Sequence, residues 1–444
     1  MLLLAANAHA APVSEFTLAN GLRVIVKEDH RAPTVAHMVW YRAGSIDEVN
    51  GTTGVAHVLE HMMFKGTKTL KPGEFSKRVA ELGGSDNAFT WLDYTGYHQQ
   101  VHVNRLAAVM ALEADRMHNL ILSHTEFAKE IRVVMEERRW RTDDRAQARV
   151  HEAFMATAFV AHPYRVPVVG WMNDLQNMTH LDAQHWYKTW YAPNNAVLVV
   201  VGDVTPQQVR TLAQRHYGAL AAKTLPPRKP QDEPKQNGVK RIEVKAPAEN
   251  AYVLIGFKVP RLENIDTDHE PFALEILSAV LDGHSSARLN TRVVRQQRIA
   301  DQAGAGYDLI ARGPALFLLD GTPAQGKTAA ELEAALRAEI ARIAHDGVSA
   351  AELARVKAQL IASQVYKRDS IMGQAREIGS LAMSGYGVRD MDRLLEKLQT
   401  VTAEQVQAVA QKYFGEDEMT VAVLLPQPLD PNQPSSAPKG LRHQ

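Results

Sequence analysis

A proline-rich segment divides this 444-residue chain into two halves, and that division most constrains what the chain can fold into. Residues 225–238 contain four prolines and little that could pack, which is typical of an interdomain linker. Strand and helix patterns on the two sides of this segment partly repeat one another. Two diverged copies of one α+β unit, each of roughly 200 residues, are the simplest interpretation.

Apolar periodicity predicts the main elements. An Asn20-Gly21 turn signal precedes an alternating run that predicts a strand, and residues 35–40 predict its neighbour. Residues 196–203 are almost entirely aliphatic, so we expect a strand buried on both faces. Further strands are predicted at 241–244, 251–259 and 419–425. Helical patterns occupy residues 53–64, 72–82, 104–121, 125–141, 181–190, 205–217 and 401–414.

These patterns give the predicted domain organisation. An N-terminal domain covers residues 12–224, a linker 225–239 and a C-terminal domain 240–427. Residues 428–444 are rich in proline, serine and glutamine and are predicted to be disordered. Residues 1–11 are predicted to be a signal-peptide remnant, since an apolar start is followed by the small-x-small pattern Ala8-His9-Ala10. We therefore expect export to a bacterial periplasm, with a frayed apolar N-terminus as the alternative.

The composition excludes several classes of function. Fifty basic residues balance fifty acidic ones, so a footprint for nucleic acid is not expected. No apolar run reaches the roughly 18 residues that a membrane span needs. The chain has no cysteine, which excludes disulfides, thiolate metal sites and cysteine nucleophiles. Any bound metal must therefore be held by nitrogen and oxygen atoms.

The most informative segment is the predicted helix that contains His57, Glu60 and His61. The two histidines are four residues apart, so their rings project from one helix face and can share a metal. Glu60 lies beside His61, where a carboxylate can take a proton from water without being a ligand. This is the inverted His-x-x-Glu-His order of zinc peptidases. A merely polar helix surface is disfavoured, because the segment is otherwise apolar and unpartnered buried charges cost several kcal/mol.

A catalytic zinc site needs a third protein ligand and leaves its fourth position to water. On the helix predicted at 125–141, Glu130 and Glu137 fall about 20° apart beside an apolar stripe, whereas Glu136 points towards water. We assign Glu137 as the third ligand, and Glu130 as a supporting carboxylate or an alternative ligand. Arg138 falls on the stripe and interrupts it.

At these residues the sequence resembles the pitrilysin-type (M16) zinc metallopeptidases, the family that includes mitochondrial processing peptidase and insulin-degrading enzyme. The resemblance runs from Val13 to about Leu425, and the size matches the shorter, dimer-forming branch. It implies an α+β fold of two homologous α/β-roll domains, each a mostly antiparallel sheet packed with helices. It also implies one Zn²⁺ per chain. The implied zinc ligands are His57, His61 and Glu137, with Glu60 as the catalytic base and Glu130 as the associated carboxylate.

The resemblance further implies a substrate-binding edge strand after Gly83-Gly84. Its expected contacts with the backbone of an extended peptide come from Asn87, Ala88, Phe89 and Thr90. For Asn87 and Phe89 a turn with one buried aromatic residue is the alternative.

The expected function is that of a zinc endopeptidase acting on peptides or unfolded segments. Glu60 would take a proton from a water activated by the metal and pass it to the leaving amine. The alternative is a non-catalytic binding or assembly subunit of a peptidase complex. Intact ligands and an intact base disfavour that alternative.

Self-sufficient members of this family supply an arginine, and a tyrosine seven residues later, from the C-terminal half. Here Arg295 fits the arginine position as a candidate contributor, but Gln302 stands where the tyrosine is expected. Loss of an oxyanion donor typically costs about 10²–10³ in rate. We therefore predict a heterodimer whose homologous partner lacks the zinc motif and supplies both residues. The alternative is a homodimer in which Gln302 or Tyr307 donates instead.

Overall fold

The structure is a computed structural model that describes residues 13–429. The predicted signal remnant lies outside the described residues, as does the predicted disordered tail except for residues 428 and 429. Within the described part, no helix combines the length and apolar character required to cross a membrane.

Each half of the chain combines strands with runs of helices. The strands of the N-terminal half are β1 (Val13–Thr17), β2 (Arg23–Glu28), β3 (Thr34–Tyr41), β4 (Ser85–Thr90), β5 (Thr95–His102) and β6 (Ala196–Gly202). Its helices are α1 (Val55–Met62), α2 (Glu74–Glu81), α3 (Leu106–Asn119), α4 (His124–Arg138), α5 (Ala146–Ala158), α6 (Met172–Asn177), α7 (His180–Trp190) and α8 (Pro206–Tyr217). The strands of the C-terminal half are β7 (Lys240–Pro247), β8 (Tyr252–Val259), β9 (Ala300–Tyr307), β10 (Ala315–Pro323) and β11 (Met419–Gln427). Its helices are α9 (Glu270–Asp282), α10 (Ala329–Asp346), α11 (Ala350–Lys367), α12 (Ile371–Met383), α13 (Asp390–Thr400) and α14 (Ala403–Lys412).

The second sheet repeats the topology of five of the six strands of the first, and β1 has no counterpart. The strand order is β1-β2-β6-β3-β5-β4 in the first sheet and β7-β11-β8-β10-β9 in the second. β6 runs parallel to β2 and β11 runs parallel to β7, while the other neighbours in each sheet are antiparallel. β4 and β9 occupy equivalent edges. The predicted α+β fold of two related, mostly antiparallel units is confirmed.

β6 is buried at every residue, as its aliphatic sequence predicts. On one face Leu198 and Val200 join the core formed with the N-terminal helices. On the other face Val197, Val199 and Val201 share a core with residues of α12, which comes from the C-terminal half. The strand is therefore covered by helices from both halves of the chain.

The exchange of helices is reciprocal. α5 of the N-terminal half packs against β7, β8 and β11 of the second sheet. Its residues Val150 and Phe154 lie in one buried cluster with Leu254 and Ala422. The predicted domain boundary separates the two sheets along the chain, but each half also completes the core of the other.

The predicted linker is bound to both halves by polar side chains. Residues 225–239 form no helix or strand. Nevertheless, Arg228 Nε donates to Asp47 Oδ1 at 2.7 Å, and the Glu233 carboxylate lies 3.0 Å from Lys258 Nζ. Gln236 Nε2 donates to the backbone of β11 at 2.7 Å. The segment therefore packs more than its sparse apolar content suggests, because charged and amide groups anchor it.

The close contact between α12 and the first sheet predicts that a larger side chain at Gly379 destabilises the protein. A Cβ atom at Gly379 would lie 2.0 Å from Trp40 Cε2. Alanine normally favours a helix over glycine by about 1 kcal/mol, whereas overpacking a core costs about 1–3 kcal/mol or more. Because so short a contact must push helix and sheet apart, we expect Gly379→Ala to lower the free energy of unfolding by about 1–3 kcal/mol. Denaturant titration measures this change.

Gly415→Ala is the matched control for this substitution. No heavy atom lies within 4 Å of a Cβ built at Gly415, so we expect a change within about 0.5 kcal/mol. A Gly379→Ala protein as stable as the parent would contradict the close packing of α12 on Trp40.

Candidate active site

α1 carries three buried ionisable residues on a helix that is buried along its whole length. His57, Glu60 and His61 are each less than a tenth exposed. The ring centroids of the two histidines are 4.8 Å apart, with planes inclined at 81°. The predicted four-residue spacing therefore brings both rings to one place.

The start of α1 is held by a residue that the sequence analysis did not identify. Thr53 is of a type that often caps helices, but its hydroxyl donates to Asp174 at 2.7 Å. The carboxylate of Glu48 instead accepts the backbone N–H groups of Gly54 and Ala56 at 2.7 and 2.9 Å. Burial raises the pKa of Glu48 to about 8, against the opposing effect of these hydrogen bonds. Glu48 lies outside the usual capping positions of α1, so a standard capping pattern does not reveal this role.

α4 brings Glu137 to the two histidines. Glu137 Oε2 lies 3.2 Å from His61 Nε2 and 3.7 Å from His57 Nε2. Among the described residues, these three form the one group of histidine and acidic side chains arranged to hold a metal, with ligand atoms all within 4.8 Å of one another. In a tetrahedral zinc site with bonds of about 2.1 Å, ligand atoms are about 3.4 Å apart. Two of the measured separations match that value closely.

Two other glutamates of α4, Glu130 and Glu136, lie where the helix geometry predicts. Glu130 is buried, and its Oε1 lies 3.1 Å from His61 Nδ1, the ring nitrogen that does not face Glu137. Its Oε2 lies 2.6 Å from Lys65 Nζ. Glu136 is exposed to solvent. Glu130 is therefore placed to orient His61 rather than to join the three candidate ligand atoms.

Arg138, which interrupts the apolar stripe, is buried in an ion pair. Its Nη1 and Nη2 donate to the Glu152 carboxylate on α5 at 2.8 and 2.9 Å. Nη1 also donates to the carbonyl oxygen of Gly170 at 2.9 Å. The charge on the stripe is therefore satisfied by a partner from the exchanged helix, which the sequence pattern of α4 alone does not reveal.

A π-helical turn, Arg139–Asp143, follows α4 and adds a residue to the site. Such turns are frequent at functional sites. Arg141 Nε lies 2.9 Å from Glu137 Oε1, so a guanidinium group balances the charge of the candidate ligand. Arg141 was not among the site residues predicted from the sequence, although its four-residue spacing from Glu137 was an available signal.

The carboxyl groups of Glu60 and Glu137 have opposite electrostatic environments. Burial raises the pKa of Glu60 to about 7, even though His61 and Thr90 act in the opposite direction. Thr90 Oγ1 donates to Glu60 Oε2 at 2.5 Å. Burial would also raise the pKa of Glu137, but the neighbouring histidines and Arg141 outweigh it and lower the value to about 2. One carboxyl can therefore exchange a proton near neutral pH, while the other stays ionised.

β4 forms the edge of the first sheet beside α1, as the resemblance implies. Ala88 is buried in the N-terminal core, and Thr90 bonds Glu60. Asn87 Oδ1 accepts the backbone N–H of Ala88 at 2.8 Å. Phe89 is half-buried with its ring centroid 5.0 Å from that of Trp40. The segment is a strand rather than a turn, although the alternative correctly included a packed aromatic residue.

Residues expected from the C-terminal half do not all reach the centre. Arg295 lies in a π-helical stretch, Leu289–Gln296, and is exposed. Gln302 is exposed on β9 and lines a cavity that Arg141 also lines. The hydroxyl of Tyr307 donates to the carbonyl oxygen of Pro260 at 2.6 Å, so it is already engaged within its own half.

A cavity between the two halves opens onto the centre. Its volume is about 730 Å³, and its wall includes His57, Glu60 and residues 88–94 of the N-terminal half. The C-terminal half contributes residues between Asp308 and Leu318, together with Ser380. The candidate base therefore faces a space large enough for several side chains of a peptide.

Fold and site together define a two-domain chain with a candidate metal centre, and comparisons with known proteins identify its family. The model "Insulinase (Peptidase family M16)" matches residues 23–170, and "Peptidase M16 inactive domain" matches residues 177–360. The zinc protease PqqE of Helicobacter pylori is 33% identical over 418 residues, which cover 92% of each chain. This chain belongs to the M16 family of peptidases, and the predicted family is confirmed.

Solved structures agree with that assignment. The crystal structure of a protease from Helicobacter pylori matches with a TM-score of 0.88 at 31% identity, covering 94% of this chain and all of that one. An M16-like peptidase from Alicyclobacillus acidocaldarius has a TM-score of 0.83 at 21% identity, over 94% of this chain and 98% of that one, and shows the fold alone.

A second relative by sequence, a probable mitochondrial-processing peptidase subunit beta of Arabidopsis thaliana, is 27% identical over 96% of this chain and 81% of its own length.

Proposed function

We propose that this chain is a zinc-dependent endopeptidase that hydrolyses peptides or unfolded polypeptide segments. The observation that carries the proposal is the meeting of three candidate ligand atoms, from His57, His61 and Glu137, beside the buried carboxyl of Glu60. Relatives that are named zinc proteases support it.

The donor set fits a catalytic zinc ion. Two imidazole nitrogens and one carboxylate oxygen are a common set of protein ligands for such an ion, and they leave a fourth position open. When bound, zinc would supply Lewis acidity for a carbonyl group and lower the pKa of water towards about 7. Arg141 would keep Glu137 oriented and its charge partly balanced.

Glu60 would move the proton in this reaction. It would accept a proton from the attacking water and return it to the leaving amine, and its buried position beside the candidate ligands places it for both transfers. Thr90 fixes Oε2 of the carboxylate, so Oε1 is the oxygen that would take the proton. The substrate would lie extended along β4 as an added strand, with the cavity between the halves receiving its side chains.

Two observations favour a second candidate, a non-catalytic binding or assembly subunit. Gln302 stands where self-sufficient relatives are expected to have a tyrosine, and the C-terminal family model is described as an inactive domain. Zinc content by elemental analysis and cleavage of a quenched peptide library separate the two candidates. We expect one zinc per chain and cleavage that a chelator stops and added zinc restores. Full zinc content without cleavage, even in the presence of a homologous subunit, would contradict the enzymatic proposal.

We also propose that a homologous subunit completes the site. Three residues of the C-terminal half support this. Arg295 and Gln302 are exposed and are not tyrosines, and the hydroxyl of Tyr307 is bound to Pro260, so none of them supplies a tyrosine hydroxyl to Glu60. The purified chain alone should hydrolyse peptides slowly for each bound zinc, and a co-expressed homologue without the zinc motif should raise the rate by about 10²–10³. Full activity of the single chain would contradict the heterodimer.

The export signal predicted from the sequence leads to a proposal about location. A mature periplasmic protein would begin at Ala11, after the pattern Ala8-His9-Ala10. N-terminal sequencing of protein from separated cell fractions tests this. Protein that retains Met1 in the cytosol would contradict it.

Glu130 provides a quantitative test of the zinc proposal. Its hydrogen bond to His61 Nδ1 should fix the ring with Nε2 towards the metal, so Glu130→Gln is expected to weaken zinc binding by about 10–100-fold. Competition with a chromophoric chelator measures the affinity. The exposed Glu136 provides the control substitution, Glu136→Gln, which should leave affinity unchanged. Equal affinities of the two variants would contradict the orienting role.

A further inference from the structure

We propose that Trp91 is a rigid aromatic platform that binds a large apolar side chain, aromatic above all, of the peptide substrate. The inference rests on the proposed peptidase function and extends it to substrate preference.

Trp91 is placed at the entrance to the candidate active site. It follows the last residue of β4 directly, and its neighbour Thr90 bonds the carboxylate of Glu60. It lines the same cavity as His57 and Glu60. Even so, 56% of its surface is exposed, which is a large fraction for the largest apolar side chain. The indole is therefore available to a ligand that enters this cavity.

The backbone that carries Trp91 is fixed by a neighbouring segment. The N–H of Trp91 donates to the carbonyl oxygen of Tyr94 at 2.9 Å. The N–H groups of Ser45 and Ile46 donate to the carbonyl oxygens of Trp91 and Leu92 at 3.3 and 2.8 Å. Segment 44–46 approaches so closely that a Cβ at Gly44 would lie 2.6 Å from both of these oxygens. The turn is therefore held in one conformation.

Asp93, two residues further on, ties the same turn to both halves of the chain. Its Oδ1 accepts the hydroxyl of Tyr164 at 2.7 Å, and its Oδ2 accepts the backbone N–H of Arg312 at 2.9 Å. The backbone that carries the exposed ring is therefore preorganised, so a ligand that binds the ring loses little free energy in ordering this turn.

Apolar side chains in the same cavity indicate what Trp91 binds. The cavity wall includes Met155 and Phe159 at the end of α5 and Ile310, Leu316 and Leu318 around the start of β10. A peptide side chain that enters here leaves water for aromatic and aliphatic neighbours, which favours large apolar groups. A peptide added to β4 would carry such a side chain past Trp91 with its scissile bond close to Glu60.

The test compares pairs of quenched peptides that differ only in phenylalanine or alanine, with the variable residue scanned across positions that flank the scissile bond. At the position that meets Trp91, Trp91→Ala should lower kcat/KM about 10-fold for the phenylalanine peptide, mainly through KM. The alanine peptide should change less than about 2-fold. Trp91→Phe should retain most of the preference. Leu181→Ala, which also removes an exposed apolar side chain, should leave both rates unchanged.

The outcomes separate this inference from the function on which it rests. Equal losses on both peptides, or an unchanged preference at every position, would overturn the platform and leave the peptidase proposal standing. A wild-type protein that binds zinc without chelator-sensitive cleavage would overturn both. Fluorescence anisotropy of the same peptides on Glu60→Gln protein, with and without Trp91→Ala, provides a readout that does not depend on turnover. It should show the same preference in binding, and its absence there would also reject the platform.

Discussion

Replacement of Glu60 by glutamine is expected to lower kcat by about 10²–10⁴-fold while the protein keeps one zinc per chain. Glutamine has the shape of glutamate and retains an oxygen for the hydroxyl of Thr90, so the buried site should keep its geometry. It cannot accept and return a proton. Peptide hydrolysis at saturating substrate, together with elemental analysis of the same sample, measures both parts of the prediction.

The control for this experiment is Glu136→Gln, which removes an equal charge from a solvent-exposed position. It should leave kcat and zinc content unchanged. Turnover close to the wild-type rate in Glu60→Gln protein would reject the assignment of Glu60 as the base. Loss of zinc from that variant would show instead that Glu60 helps to hold the metal.

Substitution of Glu137 should lower the zinc affinity directly, and activity should fall as a consequence. Glu137→Gln removes the carboxylate that faces both His57 and His61, together with its ion pair to Arg141. We expect zinc affinity to fall by more than about 100-fold, because loss of a ligand costs more than loss of a residue that orients one. Activity at limiting zinc should fall in parallel. The affinity is measured by chelator competition, with Glu136→Gln as the neighbouring control.

The two substitutions should differ in whether the protein keeps its zinc. Glu60→Gln should keep zinc and lose turnover, whereas Glu137→Gln should lose turnover because it loses zinc. Glu137→Gln protein that binds zinc as tightly as the parent would remove Glu137 from the ligand set. Glu130 would then be the next candidate to test.

Part of the site follows from local periodicity alone. A four-residue spacing places His57 and His61 on one face of any α-helix. A seven-residue spacing does the same for Glu130 and Glu137, and it leaves Glu136 in solvent. These relations depend only on helix geometry, so they could be predicted before the fold was known. The full burial of β6 could likewise be predicted from its unbroken aliphatic sequence.

Other parts of the site depend on contacts between distant segments. Arg138 looks misplaced on α4 until α5 brings Glu152 to it. Glu48 can hold the start of α1 only because the chain between them folds back. Local sequence patterns carry no information about such partners, since each pair is created by tertiary packing. Arg141 is an intermediate case, since its spacing was informative but the π-helical turn decided its contact.

The sequence by itself determined the composition of the candidate centre: two histidines and two glutamates, each on a helix with a predictable face. Only the tertiary structure decided how these helices meet and what surrounds them. It showed that Glu130 supports His61, that Thr90 holds Glu60, and that α5 and α12 are exchanged between the halves. The physical reason is that helix periodicity is a property of neighbouring residues. Distances between helices and the pKa of a buried carboxyl, in contrast, depend on every segment that packs around them.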